Sequence, residues 1–212
     1  IAMLYPIFYK KKGVLIYAGV NTGESFRKIF FKYRKVYGFE PNPLNFSKVE
    51  YFNRYGGVEI YNYALSDFDG EVKLYLPNNQ NNHASASLSD FNTNFYIKAE
   101  SIISVKAKNL NDFLKSRNVK YIDFYFSDIE GYDFTVLKTL YEEYILKSKI
   151  AKIQIEALPN SDINPYKSVS NFESDFDDLL LNYQKVGRGN GIVKFGDDFN
   201  GSPVDLLYIL KF

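Results

Sequence analysis

The chain of 212 residues carries 26 basic and 25 acidic side chains, interspersed along its length, for a net charge of +1. That balance sets up no long-range field for nucleic acid or an anionic membrane, and the absence of cysteine excludes disulfides, thiolate metal sites and cysteine nucleophiles. Hydrophobic residues at 46% and charged residues at 24% fit one soluble domain over residues 1–212; no apolar run nears the roughly 18 residues that cross a bilayer and no signal-peptide pattern opens the chain, so a cytoplasmic protein is expected.

Residues 14–18 form an apolar run that breaks into Gly19-Val20-Asn21-Thr22-Gly23, the pattern of a strand feeding a nucleotide-binding turn. Gly19 and Gly23 reach backbone angles closed to other residues, and their missing side chains let a ligand approach the main chain. Phe26, Ile29, Phe30 and Tyr33 then recur at helical spacing, which predicts a helix from near Glu24 whose free amides point into the turn. A second strand over 35–40 is closed by Pro41-Asn42-Pro43, since proline cannot donate to a ladder. Glu40 therefore falls at a strand's carboxyl end, about 20 residues after the first glycine, where an acid meets ribose hydroxyls in dinucleotide folds. An ordinary βαβ unit with two sterically required glycines is the alternative for this stretch.

Further along, 44–55 reads as a helix stopped by Gly56-Gly57, and 58–65 and 71–76 read as two strands of a hairpin joined by the turn at 66–70. Residues 77–87 are a polar loop holding the single histidine, His83. Together with a strand over 101–108 they make an insertion around 66–108. A short helix runs from Leu110 to near Asn118. Residues 121–131 are an apolar run that collects acids only at its end, leaving Asp128 and Glu130 at a strand terminus beside Gly131. Helical spacing resumes from Asp133 to about Lys147, a strand over 150–157 ends near Glu156, and 170–182 is a helix with Ser170 as its cap. The last two strands, from 184 and over 204–210, are separated by too few residues for a crossover helix, so the final strand is expected to be antiparallel. Glu40, Asp128 and Glu156 thus gather near one sheet edge.

The ordered set Gly19-Val20-Asn21-Thr22-Gly23, Gly38-Phe39-Glu40-Pro41-Asn42-Pro43, Ala64-Leu65-Ser66-Asp67, Asp69-Gly70 and Asp128-Ile129-Glu130-Gly131 followed by Val136-Leu137 resembles the FkbM family of S-adenosylmethionine-dependent methyltransferases. Glu156 and Asp205-Leu206-Leu207-Tyr208 fit the later strands of that family. The resemblance implies the Rossmann-like class I methyltransferase fold, a seven-stranded, mostly parallel sheet with an antiparallel last strand and helices on both faces. It also implies S-adenosyl-L-methionine as cofactor. Tyr17, Gly19, Asn21 and Gly23 would hold its methionine part, Glu40 and Pro41 its ribose, Ala64 and Leu65 its adenine, and Asp128 its amino end or the acceptor. Two positions depart from the family pattern: Tyr17 stands where Asp is usual, and Phe126 where Lys is frequent.

An alcohol acceptor has to lose a proton, so a base is needed near it. Asp128 and Glu130 are the first candidates, and His83 in the polar loop is the third, although a loop histidine is more often simply solvated. Glu156 is a possible metal ligand beside Asp128, but no dense cluster of ligand-type residues appears in the sequence, and metal-free catalysis is expected. The acceptor expected is a hydroxyl of a glycan or small metabolite. Two alternatives stay open: a non-catalytic module that keeps the fold, and a nicotinamide-dependent dehydrogenase, which the missing third glycine of the dinucleotide fingerprint argues against.

Overall fold

The computed structural model describes residues 12–77, 86–92, 99–160, 164–189 and 204–211. Strand β1 (Lys12–Ala18) runs into the turn at Gly19. The helix expected from Glu24 is not there: Phe26–Lys28 and Phe30–Lys32 are two short 3₁₀ turns, and β2 (Tyr33–Phe39) begins at Tyr33. Ile29, at φ −128° and ψ −28°, breaks the helical backbone between them. The helical spacing instead marks an aromatic cluster. Phe26 stacks on Phe30 at 5.4 Å and meets Phe52 and Tyr17 edge-on at 5.0 and 5.2 Å.

Helix α1 (Pro43–Val49) starts at Asn42, whose Oδ1 accepts from the Leu44 amide, with Pro43 in the first turn where a missing N–H costs little. It tightens into a 3₁₀ segment, Glu50–Arg54, before β3 (Val58–Tyr61). Next come β4 (Ala64–Ser66), β5 (Gly70–Pro77) and β6 (Ala99–Asn109). These three form a separate sheet in the order β4-β6-β5, which corrects the expected hairpin of 58–65 with 71–76. The cause lies in the turn. Asp69 accepts from the Asn109 amide at 2.7 Å, and the Asn109 side chain donates to the Asp67 carbonyl at 2.8 Å. The end of β6 is thereby pinned to the turn, and β6 slots between the two strands that are adjacent in sequence.

Helix α2 (Leu110–Ser116), β7 (Phe124–Ser127) and α3 (Asp133–Thr139) follow. After Thr139 the helical path widens into a π turn, Tyr141–Ile145, so the expected helix to Lys147 changes pitch. The chain then passes through β8 (Lys152–Ala157), α4 (Glu173–Leu179), β9 (Tyr183–Gly189) and β10 (Val204–Leu210). Ser170 is not the residue that caps α4. Its hydroxyl donates to Asp175, and the same carboxylate oxygen accepts from the Phe172 amide.

The main sheet has the order β3-β2-β1-β7-β8-β10-β9. In it β3, β2, β1, β7 and β8 pair in parallel, and β10 runs antiparallel to both of its neighbours, as expected. Side chains of β1 alternate between two cores: Ile16 and Ala18 pack with α2, α3 and α4, whereas Leu15 and Tyr17 pack with the 3₁₀ turns and Val49 of α1. Helical segments therefore cover both faces. Among the described residues no helix is long and apolar enough to cross a membrane. The order reverses between β1 and β7, and at such a switch point a crevice opens outside the carboxyl ends of the strands.

Candidate functional site

A cleft lies at that switch point, lined by Gly19 and Asn21 after β1, Glu40 and Pro41 after β2, and Asp128 and Glu130 after β7. Gly19 has φ +81°, and a Cβ there would fall 2.0 Å from the Asp128 carbonyl oxygen. Glycine is thus required by the backbone of the neighbouring strand, and its amide, with that of Val20, donates to the Phe39 carbonyl at 3.0 and 3.1 Å. Asn21 takes a left-handed backbone, φ 51°, which asparagine tolerates better than most residues.

The first rim is built around Glu40. Its two carboxylate oxygens accept from the Asn21 amide at 2.7 Å and the Asn42 amide at 2.9 Å, and the Asn45 side chain donates to Asn21 Oδ1 at 3.1 Å. Asn62 ties this strand end to β3 by donating to the Glu40 and Pro41 carbonyls at 2.8 and 2.9 Å. Glu40 is buried, and burial pushes its carboxyl up to about 7 while the two amides pull it down. A carboxylate offers about four acceptor positions, so the two amide bonds leave acceptor capacity for a ligand. The side of the cleft between the rims is apolar, with Phe39, Ala64, Leu65, Leu74 and Leu88.

The opposite rim is acidic. Asp128, Glu130 and Glu156 bring carboxylate oxygens within 4.8 Å of one another. Asp128 is solvent-exposed, yet protein surrounds its carboxyl on most sides and burial raises it. Glu130 is pushed up to about 8 by burial and then by Asp128. Glu156 is held well above the carboxylate range by burial and by Glu130, Asp128, Asp133 and Asp205. Like charges this close cannot all ionise, so the rim shares protons. Asp133, the first residue of α3, organises the turn: it is fully buried, accepts from Ser127 Oγ at 2.5 Å and from the Ile129 amide at 3.3 Å, and is pushed up to about 7 chiefly by burial. Acidic groups are common without an ion, and nothing else among the described residues marks this cluster as a metal centre.

The sequence-predicted residues separate cleanly. Gly19, Asn21, Glu40, Pro41, Ala64, Leu65, Asp128 and Glu130 all line the one cleft. Gly23 does not: it packs against Phe52 and Val49. Tyr17 does not either. It is buried in the second core and stacks on Phe126, its register partner on β7, at 4.3 Å. His83 lies outside the described residues. Sequence reasoning missed Asn45 and the hydroxyl donors Ser87 and Tyr166 that contact Glu130. Asn45 sits one turn into the helix after Glu40, a spacing that points it back at the strand end. Ser87 and Tyr166 lie in aperiodic segments that carry no such signal.

The sequence profile of the methyltransferase FkbM domain matches residues 18–187. Among solved structures, the chain is similar to the methyltransferase FkbM from Methylobacillus flagellatus KT, with a TM-score of 0.55 and 13% identity over 93% of this chain and 43% of that one. It therefore spans less than half the length of that protein. It is also similar to the N-methyltransferase NodS from Bradyrhizobium japonicum WM9, with a TM-score of 0.50 and 10% identity over 94% of this chain and 85% of that one. At these identities the likeness shows the fold. No curated protein sequence matches the chain significantly.

Proposed function

Since the chain belongs to the methyltransferase FkbM family, we propose that it binds S-adenosyl-L-methionine in the cleft and methylates a hydroxyl of a glycan or other small metabolite in the cytoplasm, with no nucleic-acid partner. The observation that supports this reading best is that Glu40 and Asp128 are opposite rims of one cleft whose floor is the Gly19 turn. The residues present fit the cofactor. Gly19 and Asn21 would meet its methionine part, and Glu40, with acceptor positions to spare, and Pro41 its ribose. Ala64 and Leu65, beside Leu74, would meet its adenine.

When bound, the cofactor supplies a methyl group on a sulfonium; transfer to a hydroxyl oxygen breaks the carbon–sulfur bond, leaves a neutral thioether and frees the hydroxyl proton. What the chain contributes is alignment and a place for that proton. Alignment of reacting groups is worth roughly 7–11 kcal/mol in favourable cases. Asp128, solvent-exposed at the rim, accepts a hydrogen bond from the hydroxyl and orients it. Glu130, raised to about 8, takes the proton, because a base works best when its pKa lies near the working pH.

Calorimetry with S-adenosylmethionine, S-adenosylhomocysteine and NAD tests the reading. Binding of both sulfur ligands and none of NAD is expected; a response to NAD alone would return the dehydrogenase. A screen of sugars, nucleotide sugars and lipid-linked glycans, scored by S-adenosylhomocysteine formation, then tests the hydroxyl acceptor.

A further inference from the structure

Two short segments, 86–92 and 164–169, are zipped together over the acidic rim. The Asn92 amide donates to the Pro165 carbonyl and the Lys167 amide to the Asp90 carbonyl, each at 2.8 Å, and Asp90 and Lys167 form an ion pair at 2.6 Å. Phe91 packs with Tyr166 and Leu158 beneath them. Each segment places one hydroxyl on the same residue. Ser87 Oγ donates to the Glu130 carbonyl at 2.7 Å, and the Tyr166 hydroxyl donates to Glu130 Oε2 at 2.8 Å. Glu130 has a left-handed backbone, φ 55°, and Gly131 follows at φ +93°. A Cβ on Gly131 would come within 2.3 Å of the Tyr166 ring, so the glycine is what lets the ring lie against the turn.

Resting on the methyl-transfer reading above, we propose that Tyr166 is a positioning residue for the reaction: its hydroxyl fixes the Glu130 carboxyl against the strap formed by the two segments and keeps it available as the proton acceptor. The acids facing Glu130 come from every side. Asp128 shares its turn, Asp133 opens α3, and Glu156 is the last residue but one of β8, with Asp205 opposite it on β10. Asp128 and Asp133 disfavour a charge on Glu130, while Glu130 and Asp205 disfavour one on Glu156. The Tyr166 hydrogen bond works the other way, because it stabilises the ionised carboxylate. Tyr166 is itself buried, and burial and the acids raise its phenol far out of the working range, so it stays a donor.

The test is a carboxyl-carbon NMR titration of protein labelled at glutamate, with the Glu130 resonance assigned by Glu130→Gln. Tyr166→Phe keeps the ring on Gly131 and removes only the donor. It should move the Glu130 midpoint upward by about one pH unit, the size expected for a hydrogen bond to a charged group. Ser87→Ala removes the other strap contact, to the carbonyl, and should leave the midpoint in place. Coincident titrations of parent and Tyr166→Phe overturn the proposal, and so does an equal shift in both variants, which would mean that loosening the strap is enough. A thermal melt of each variant confirms that it is folded. Calorimetry of the parent with S-adenosylhomocysteine separates the two readings: no binding sinks the methyl-transfer assignment, whereas binding with an unmoved Glu130 midpoint sinks the role of Tyr166 alone.

Discussion

Glu40 and Glu130 line one cleft from opposite rims, and the protein solvates them in opposite ways. Glu40 is held by two backbone amides, donors that cannot rotate away or titrate. Glu130 has one phenol on its carboxylate and other acids facing it. The first arrangement fixes an acceptor in space, which suits recognition of a diol. The second leaves charge unsettled, which suits the giving and taking of a proton. Burial raises both carboxyls, so it is the surroundings of each, more than the burial, that set them apart.

The largest expected effect tests the acidic rim. Asp128→Asn should lower turnover on a hydroxyl acceptor by about a hundredfold, the size of effect that misplacing a reacting group by about 1 Å produces, while S-adenosylhomocysteine affinity stays within a few-fold of the parent. Unchanged turnover would reduce that rim to a structural feature. Glu40→Ala tests the other rim and should weaken cofactor binding by roughly 1.5 to 3 kcal/mol, the range for hydrogen bonds to a charged group. Calorimetry on a folded variant decides it, and an unaltered affinity would leave Glu40 only as a clamp on the Asn21 turn. Glu40→Gln sharpens the point, because an amide turns a donor toward one of the two backbone N–H groups.

A smaller effect concerns stability of the protein without ligand. Glu40 and Asp133 at about 7 and Glu130 at about 8 all lie above the unfolded carboxylate range near 4. The folded state therefore binds these protons more tightly than the unfolded chain does. Their contribution is full below the unfolded pKa and is lost as pH rises through 7 to 8. The melting temperature should fall between pH 5.5 and 8.5, by roughly 2–4 °C for each kcal/mol lost in a chain of this size. Glu130→Gln should flatten the upper part of that slope; a Tm that rises over the same range would show that the acids are not proton-bound. The smallest effect is expected from His83→Ala, which should lower turnover by less than Asp128→Asn in the same assay.

The strand-end acids were legible because an apolar run that collects carboxylates only at its end has few other readings, as at Asp128 and Glu156. The glycine turn was legible in place but not in cause: Gly19 is required by the Asp128 carbonyl, before any ligand is considered. Illegible features depend on distant partners. The helix over 24–33 failed because aromatic spacing in a short crossover is met by ring packing against Phe52. The hairpin failed because its true partner strand is β6, more than twenty residues further on. Tyr17 and Phe126, two separate departures in the sequence, are one stacked contact in the fold. Tyr166 carried no local signal at all, since its hydrogen bond to Glu130 depends on 164–169 meeting 86–92 and the turn after β7 in the fold.

The position of β10 also constrains how the molecule is assembled. Strand β9 joins the sheet only through β10, although β10 comes later in the chain. A growing polypeptide can dock β8 on β7, but β9 has nothing to pair with until 204–210 has emerged. Asp205, which faces Glu156 across that last pairing, arrives with it. Until then Glu156 stands at an open sheet edge in contact with water, where a carboxylate keeps its charge at little cost. The share of the acid crowding that Asp205 adds, and the covering of Glu156 by β10, are therefore imposed late, after the parallel strands can already be in register.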